Sequence, residues 1–531
     1  MILPARSRPA RRDTQSQKAA GVQLATLQPP TMGLVTNASL ANGGGAVVLE
    51  NFWPSPTGIE PRGGCASFCN VPTGVKSLFE HGASGKFFAA TETAIYEFTD
   101  ASTGALSSSV AGQTNGEWST YEFRNSGGSF LICVNGVDDM QRFDGTTWLT
   151  INAASTPAIT GVGTDLLTHV WAHRSRLFFI QRQSLSAWYL ATNSIAGAAT
   201  ELPLTGVFRK GGGLIFGGTW SSDSGAGMDD RCVFVTDAGE VAVYAGSDPS
   251  TPANWSLQGV YDVGVPLGRK AVLNIGGDLI IATREGLIPM SGVVQKDPTQ
   301  LSLVSLARNV APDWRGAVID VPGGWRVTKW PSGNMLVACP LGDTFDTPPL
   351  YVANLENGAW ATVTGWKIGD IQALGSGLYY GSRNGKIYRA WTGGLDDGLA
   401  FTCRAALAHD HLGNPAGHKA ASAVQAVWRV RGSIDYSVAL AQDYATTFGP
   451  PPPVSTPPDD GTSSLWDVSD WDVTEWGISS LPYTIRSGWY SVGRFGFAFS
   501  AQVQLVSSTT ARVVAQLQRI DIAYQVGGAV A

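Results

Sequence analysis

The chain has 531 residues, of which 44% are hydrophobic and only 15% charged, with a formal net charge of −6. A charged share this far below the usual ~25% points to a surface made of neutral polar groups or covered by other chains. The acidic balance excludes a protein that grips nucleic acid tightly through its phosphates, and no run approaches the ~18 apolar residues of a membrane-spanning helix.

The 64 Gly, 29 Pro and 18 Trp are the mix expected of short strands joined by tight turns. Cys65, Cys69, Cys133, Cys232, Cys339 and Cys403 are dispersed, so they form neither a disulfide framework nor a paired zinc motif. Buried free thiols in a reducing cytosol are expected, with no metal and no cofactor.

Residues 1–30 read as a basic arm. Arg6, Arg8, Arg11, Arg12 and Lys18 stand against Asp13 alone, and no apolar stretch follows to make a secretory signal. The chain is expected to be made soluble in the cytoplasm, without a membrane anchor. The arm is expected to bind a neighbouring protein in an assembly. Residues 31–74 form a Gly-rich opening segment that can belong to a platform domain.

From 75 to 400 the chain repeats itself. Apolar strands begin near Lys86, Ser129, Arg176, Cys232, Asp278, Asn334 and Gly377, at spacings of 43, 47, 56, 46, 56 and 43 residues. Several are followed by the same tight turn, as in Thr236-Asp237-Ala238-Gly239, Thr283-Arg284-Glu285-Gly286 and Ser382-Arg383-Asn384-Gly385. A hairpin cannot bury its faces alone, whereas sheets stacked around an axis can. A period of ~40–50 residues is that of propeller blades. The fold expected is all-β: a propeller of six or seven blades over 75–400. Helical signal is nearly absent, Asn414–Val427 being the main candidate.

Residues 401–531 read as a C-terminal β-sandwich platform. Phe495, Phe497 and Phe499 alternate with Gly496 and Ala498, and Gln518–Tyr524 alternates as well, each pattern suggesting a half-buried strand. A long loop, 449–480, interrupts the platform with Pro450–Pro453 and then an acidic, Trp-rich stretch. Trp466, Trp471 and Trp476 are five residues apart, a period that suits neither one helix face nor one strand face. Asp467, Asp470, Asp472 and Glu475 lie among them. Large aromatics anchor interfaces, so this stretch is expected at a subunit interface or lining a ring lumen, where its carboxylates would repel passing DNA.

Signs of catalysis are weak. Gly211–Gly218 follows Lys210, the reverse of a phosphate loop, and reads as a turn and strand. Ser221–Met228 approaches the Asp-box of sialidase-like propellers, but in one copy without its aromatic. His169 and His173 would lie ~13 Å apart along a strand, too far to share a metal. His409, His411 and His418 read as incidental surface histidines. No nucleophile signature or paired acid and base stands out, so no enzyme is expected. A glycan-binding propeller for host-receptor recognition and a sialidase-like glycoside hydrolase are the alternatives.

Both ends carry a resemblance. The opening Leu34–Gly64, with LANGGGAVVLENFWP and then Pro61-Arg62-Gly63-Gly64, resembles the N-terminal segment of short-tailed bacteriophage (podophage) tail nozzle and hub proteins. Leu465-Trp466-Asp467, Trp471-Asp472, Trp476-Gly477, Trp489, Val492-Gly493, Gly496 and Tyr524–Gly528 resemble the last domain of the same proteins. The propeller between matches in kind only. The resemblance implies a virion protein of the tail that forms a hexameric ring. It would sit below an adaptor protein, contact tail fibres and conduct double-stranded DNA at ejection.

Overall fold

The computed structural model describes residues 21–37, 40, 44–100, 106–221, 230–295, 298–341, 349–454 and 483–527. Strands hold 52% of residues and helices 7%, so the chain is all-β as expected.

Five strands precede the repeats: β1 (Gln23–Leu27), β2 (Ala46–Glu50), β3 (Phe52–Ser55), β4 (Gly58–Pro61) and β5 (Cys65–Asn70). Antiparallel sheets then follow one another around an axis. The first is β6–β9 (Ser77–His81, Lys86–Ala90, Ala94–Glu97, Ser108–Ala111). The second is β10–β13 (Ser119–Asn125, Gly128–Val134, Met140–Phe143, Trp148–Ile151). A small parallel clasp, β14 (Ile159–Thr160) with β18 (Gly197–Ala198), flanks the third. That third sheet is β15 (Leu167–His173), β16 (Arg176–Gln181), β17 (Ser186–Tyr189) and β19 (Thr200–Pro203). The fourth is β20–β23 (Leu214–Trp220, Arg231–Thr236, Glu240–Gly246, Trp255–Asp262).

The fifth has three strands, β24–β26 (Val272–Ile275, Asp278–Thr283, Gly286–Pro289), followed by helices α1 (Met290–Val293), α2 (Leu301–Val304) and α3 (Ala311–Asp320). Then come β27–β30 (Arg326–Trp330, Met335–Cys339, Leu350–Asn354, Trp360–Val363) and β31–β33 (Ile368–Leu374, Gly377–Ser382, Lys386–Ala390). β5 pairs with β33 and supplies the fourth strand of that last sheet, closing the ring with a segment from before the repeats.

The result is a β-propeller. Six blades are separate sheets. β27–β30 form a further wall of the ring, continuous with strands outside the propeller. The apolar runs that repeat in the sequence are the second strands, β7, β11, β16, β21, β25, β28 and β32. They read as unbroken apolar runs because each is covered on both faces by neighbouring blades. In β21, Cys232 and Phe234 face the third blade while Val233 and Val235 face the fifth. In β16, Leu177 and Phe179 face the second blade and Phe178 and Ile180 the fourth. The hairpin glycines take the expected left-handed backbone: Gly239 has φ +87°, and a Cβ there would lie 2.5 Å from the Gly264 carbonyl carbon.

The C-terminal strands are β34 (Phe401–Leu407), β35 (Lys419–Arg431), β36 (Asp435–Gln442), β37 (Thr484–Arg486), β38 (Trp489–Gly496), β39 (Phe499–Ser507) and β40 (Val514–Val526). They form a sandwich with β1–β4. One sheet joins β3, β4, β40, β35 and β37, with β1 on β40 and β38 on β35. The other, β2–β34–β39–β36, extends blade strand β30 through the parallel pair Glu50–Thr362. One buried cluster runs from blade five through this sandwich, including Trp314, Trp360, Phe52, Trp428, Leu505 and Ile520. Propeller and platform therefore share a core.

Two local expectations are corrected. Asn414–Val427 is not helical: 419 onward belongs to β35, whose two edges are both hydrogen-bonded to neighbouring strands. Phe495, Phe497 and Phe499 do not share one buried strand face. Phe495 lies next to the end of β38 and is 68% exposed, Phe497 lies between β38 and β39, and only Phe499, starting β39, is buried.

The platform meets the propeller at Arg62. Its side chain is wholly buried and forms a two-pronged ion pair with Asp396, at 2.9 and 2.6 Å. Its Nε donates to Asn51 Oδ1 at 2.8 Å, and its guanidinium lies between the rings of Trp366 and Phe401. Asn51, at φ +58°, also accepts from the Thr364 amide and donates to the Thr402 carbonyl. Gly64 passes so close to Leu395 that a Cβ would lie 2.0 Å from its carbonyl oxygen.

Candidate functional site

The first strand of each blade, or the residues just before it, lines a cavity of about 900 Å³ on the propeller axis. Charged groups cross it. Arg326, opening β27, reaches Glu117 at 2.5 Å and Asp370 of β31 at 3.2 Å. Lys270 lies 3.6 Å from Asp370 and 3.9 Å from Glu117, and donates to Ser77 Oγ at 2.7 Å. Asp370 also accepts from the Leu78 amide at 2.7 Å. Burial pulls the Lys270 ammonium below its usual range, against the opposing pull of Asp370. Arg269 is lowered likewise, first by burial, against Glu117. Both carboxylates are engaged by cations. The network spans blades that are far apart in sequence and ties them across the axis.

His169, on β15, borders this cavity. Its Nε2–H donates to the Gly217 carbonyl at 2.8 Å, so Nδ1 accepts from the Ser119 hydroxyl, also at 2.8 Å. Burial lowers its pKa from 6.5 to about 4, against the bond to Gly217. The neutral ring therefore supports the fold above pH 6.5, and that support is lost as pH falls towards 4, because the unfolded chain takes up a proton that the folded one refuses. The wild type should lose about 2–3 kcal/mol through this residue between pH 7 and 4. Urea unfolding at both pH values checks this: His169→Gln should show a pH dependence smaller by that amount, and an unchanged dependence would remove the assignment.

The other expected features sort as follows. His173 also lies on β15 and bonds Thr219 and the Gly246 carbonyl. Gly211–Gly213 are irregular backbone and Leu214 starts β20, so a strand and not a helix follows the glycines. His409 packs on Tyr444 and His418 on Phe497. Among the described residues no group of His, Cys, Asp or Glu is arranged to hold a metal. All six cysteines are free and buried, and Cys65 accepts a bond from the Tyr380 hydroxyl. The Asp-box-like stretch lies almost wholly outside the described residues. So do Trp466, Trp471, Trp476, Asp467, Asp470, Asp472 and Glu475, and the arm residues Arg6, Arg8, Arg11, Arg12 and Lys18.

Sequence reading missed the axial network. Its one signal is that Lys270, Glu117 and Arg326 each stand at or just before the inner strand of a blade. It also missed the sandwich edge. β38 is exposed on both faces, with Trp489 at 49% and Phe495 at 68%. Beside it, Arg429 and Arg431 stack on Tyr483 at 3.9 and 4.2 Å.

No family model and no curated protein sequence matches the chain. Among solved structures it is similar to the β-propeller domain of Myceliophteria thermophila Cps50 (Swd1), at 11% identity and a TM-score of 0.37, over 62% of this chain and 99% of that one. It is similar to YCF48 from Cyanidioschyzon merolae at 10% identity and 0.35, over 61% and 98%. It is similar to Saccharomyces cerevisiae Sqt1 at 9% and 0.37, over 62% and 99%.

Proposed function

We propose that the chain is a structural component of a short phage tail, a nozzle or hub protein that assembles as a ring, six copies by resemblance, between an adaptor protein and the tail fibres. One observation carries this reading. The described parts of the two stretches that resemble tail proteins lie at opposite ends of the chain and fold into one sandwich: Ala46–Pro61 supplies β2–β4, while Trp489–Gly496 forms β38 and Tyr524–Val526 ends β40. The Arg62-Gly63-Gly64 turn makes the joint that orients this platform on the propeller. The motif residues thus serve architecture, which suits an assembly protein better than an enzyme.

The axial cavity is crossed by ion pairs, so the DNA path in this reading runs between copies and not through a propeller. Antibody raised against the chain should decorate the tail of purified short-tailed particles on the tail axis. Removing the gene should leave DNA-filled heads that lack a working tail. Fully infectious particles without the chain would overturn the proposal.

A further inference from the structure

The platform sheet is open at both ends. Through its middle the strand order is β1–β40–β35–β38, and every pair is antiparallel. Registers run straight across: Leu24 stands opposite Ala523, Ala523 opposite Ala423, and Ala423 opposite Ser491. The next row is Ala25, Ile522, Val424 and Tyr490. The two outer strands therefore lie at the same level on opposite sides of one sheet. Neither pairs with a further strand among the described residues. Each shows apolar side chains to solvent, Val22 and Leu24 at β1, and Trp489 and Phe495 at β38. Exposed edges of this kind are templates for pairing with another chain.

We infer that copies of this chain join head to tail through these edges, β38 of one copy pairing antiparallel with β1 of the next. This rests on the ring reading above and supplies its contact. Direction is the first argument: the strands alternate, so a copy added beside β38 meets it with a β1 that runs the opposite way. The second is charge. The segment 483–496 carries Arg486 and Arg494 with no carboxylate, and Arg429 and Arg431 flank it. Pairing two β38 edges would gather these arginines, whereas the segment 21–28 is itself uncharged. The third is closure. A two-fold β38 contact leaves both β1 edges open, while a head-to-tail contact that closes into a ring leaves none.

The test uses the full-length chain and two double variants, Val22→Lys/Leu24→Lys and Trp489→Lys/Phe495→Lys. All four side chains are exposed, so the fold should be retained, and circular dichroism checks that. Light scattering of the wild type should give a mass several times that of one chain, and each variant alone should fall to a monomer. Mixed, the two variants should form a species of twice the monomer mass, because each keeps one intact edge. A mixture that stays monomeric overturns the inference. So does a β1 variant that still dimerises, which marks two-fold β38 pairing, or a wild type that is monomeric because residues 455–482 of the same chain cover β38. An assembly unchanged by either variant overturns the edge contact and leaves the tail reading standing. Infectious particles lacking the chain do the reverse.

Discussion

Arg62→Ala should destabilise the chain by about 3–5 kcal/mol, the range for breaking a buried ion pair from one side. The side chain is 0% exposed, and its removal strands Asp396 at 16% exposure. Asn51 loses the Nε donor at 2.8 Å, and the Gly63 and Thr364 carbonyls lose their partners. The slot between Trp366 and Phe401 is left empty. Arg62→Lys should recover little, because an ammonium cannot bond both Asp396 oxygens and Asn51 in the planar fork that the guanidinium offers. Thermal unfolding followed by circular dichroism reads the loss as a lowered Tm. A shift within the range of ordinary surface substitutions would show that the joint is not needed to hold platform to propeller.

Trp314→Ala should cost a similar ~3–5 kcal/mol by cavity formation. Blade five has three strands, and α3 packs beside it. Trp314 and Val318, one helical turn apart, turn the buried face of α3 inward. The indole packs against Trp325 at 4.6 Å, Tyr351 at 5.5 Å and Trp360 at 6.2 Å, and its Nε1 donates to the Thr283 carbonyl at 2.8 Å. Alanine would leave a void between blades and remove the indole donor from the Thr283 carbonyl. Trp314→Phe keeps most of the apolar area and should lose about 1–2 kcal/mol, chiefly through that carbonyl. Urea unfolding of the two variants separates the contributions. Equal losses would mean that the hydrogen bond, and not the packing, carries the effect.

Residues such as Phe178 and Val233 show why much of the propeller was legible. A second strand covered on both faces must be apolar throughout, and its hairpin needs a residue such as Gly239 or Gly385 at positive φ, so both signals recur in the sequence. The inner strands left no such trace. They face a cavity where Arg326, Lys270 and Asp370 meet, and charged residues there look like those of any exposed turn. Phe495 misled for a related reason. Alternation marks a buried strand face only where a second layer covers it, and none of the described residues covers Phe495.

From its own residues the chain determined that it is all-β, that its repeats are blades, and that its last 130 residues depart from them, because burial pattern and turn chemistry are local properties. Which strands meet was decided only in three dimensions. β5 closes the last blade with β33, more than 300 residues later, and β1–β4 join β40 across nearly the whole chain. Arg62 finds Asp396 in the same way. Such pairings depend on the closed ring bringing distant ends together, and nothing in the flanking residues records that distance.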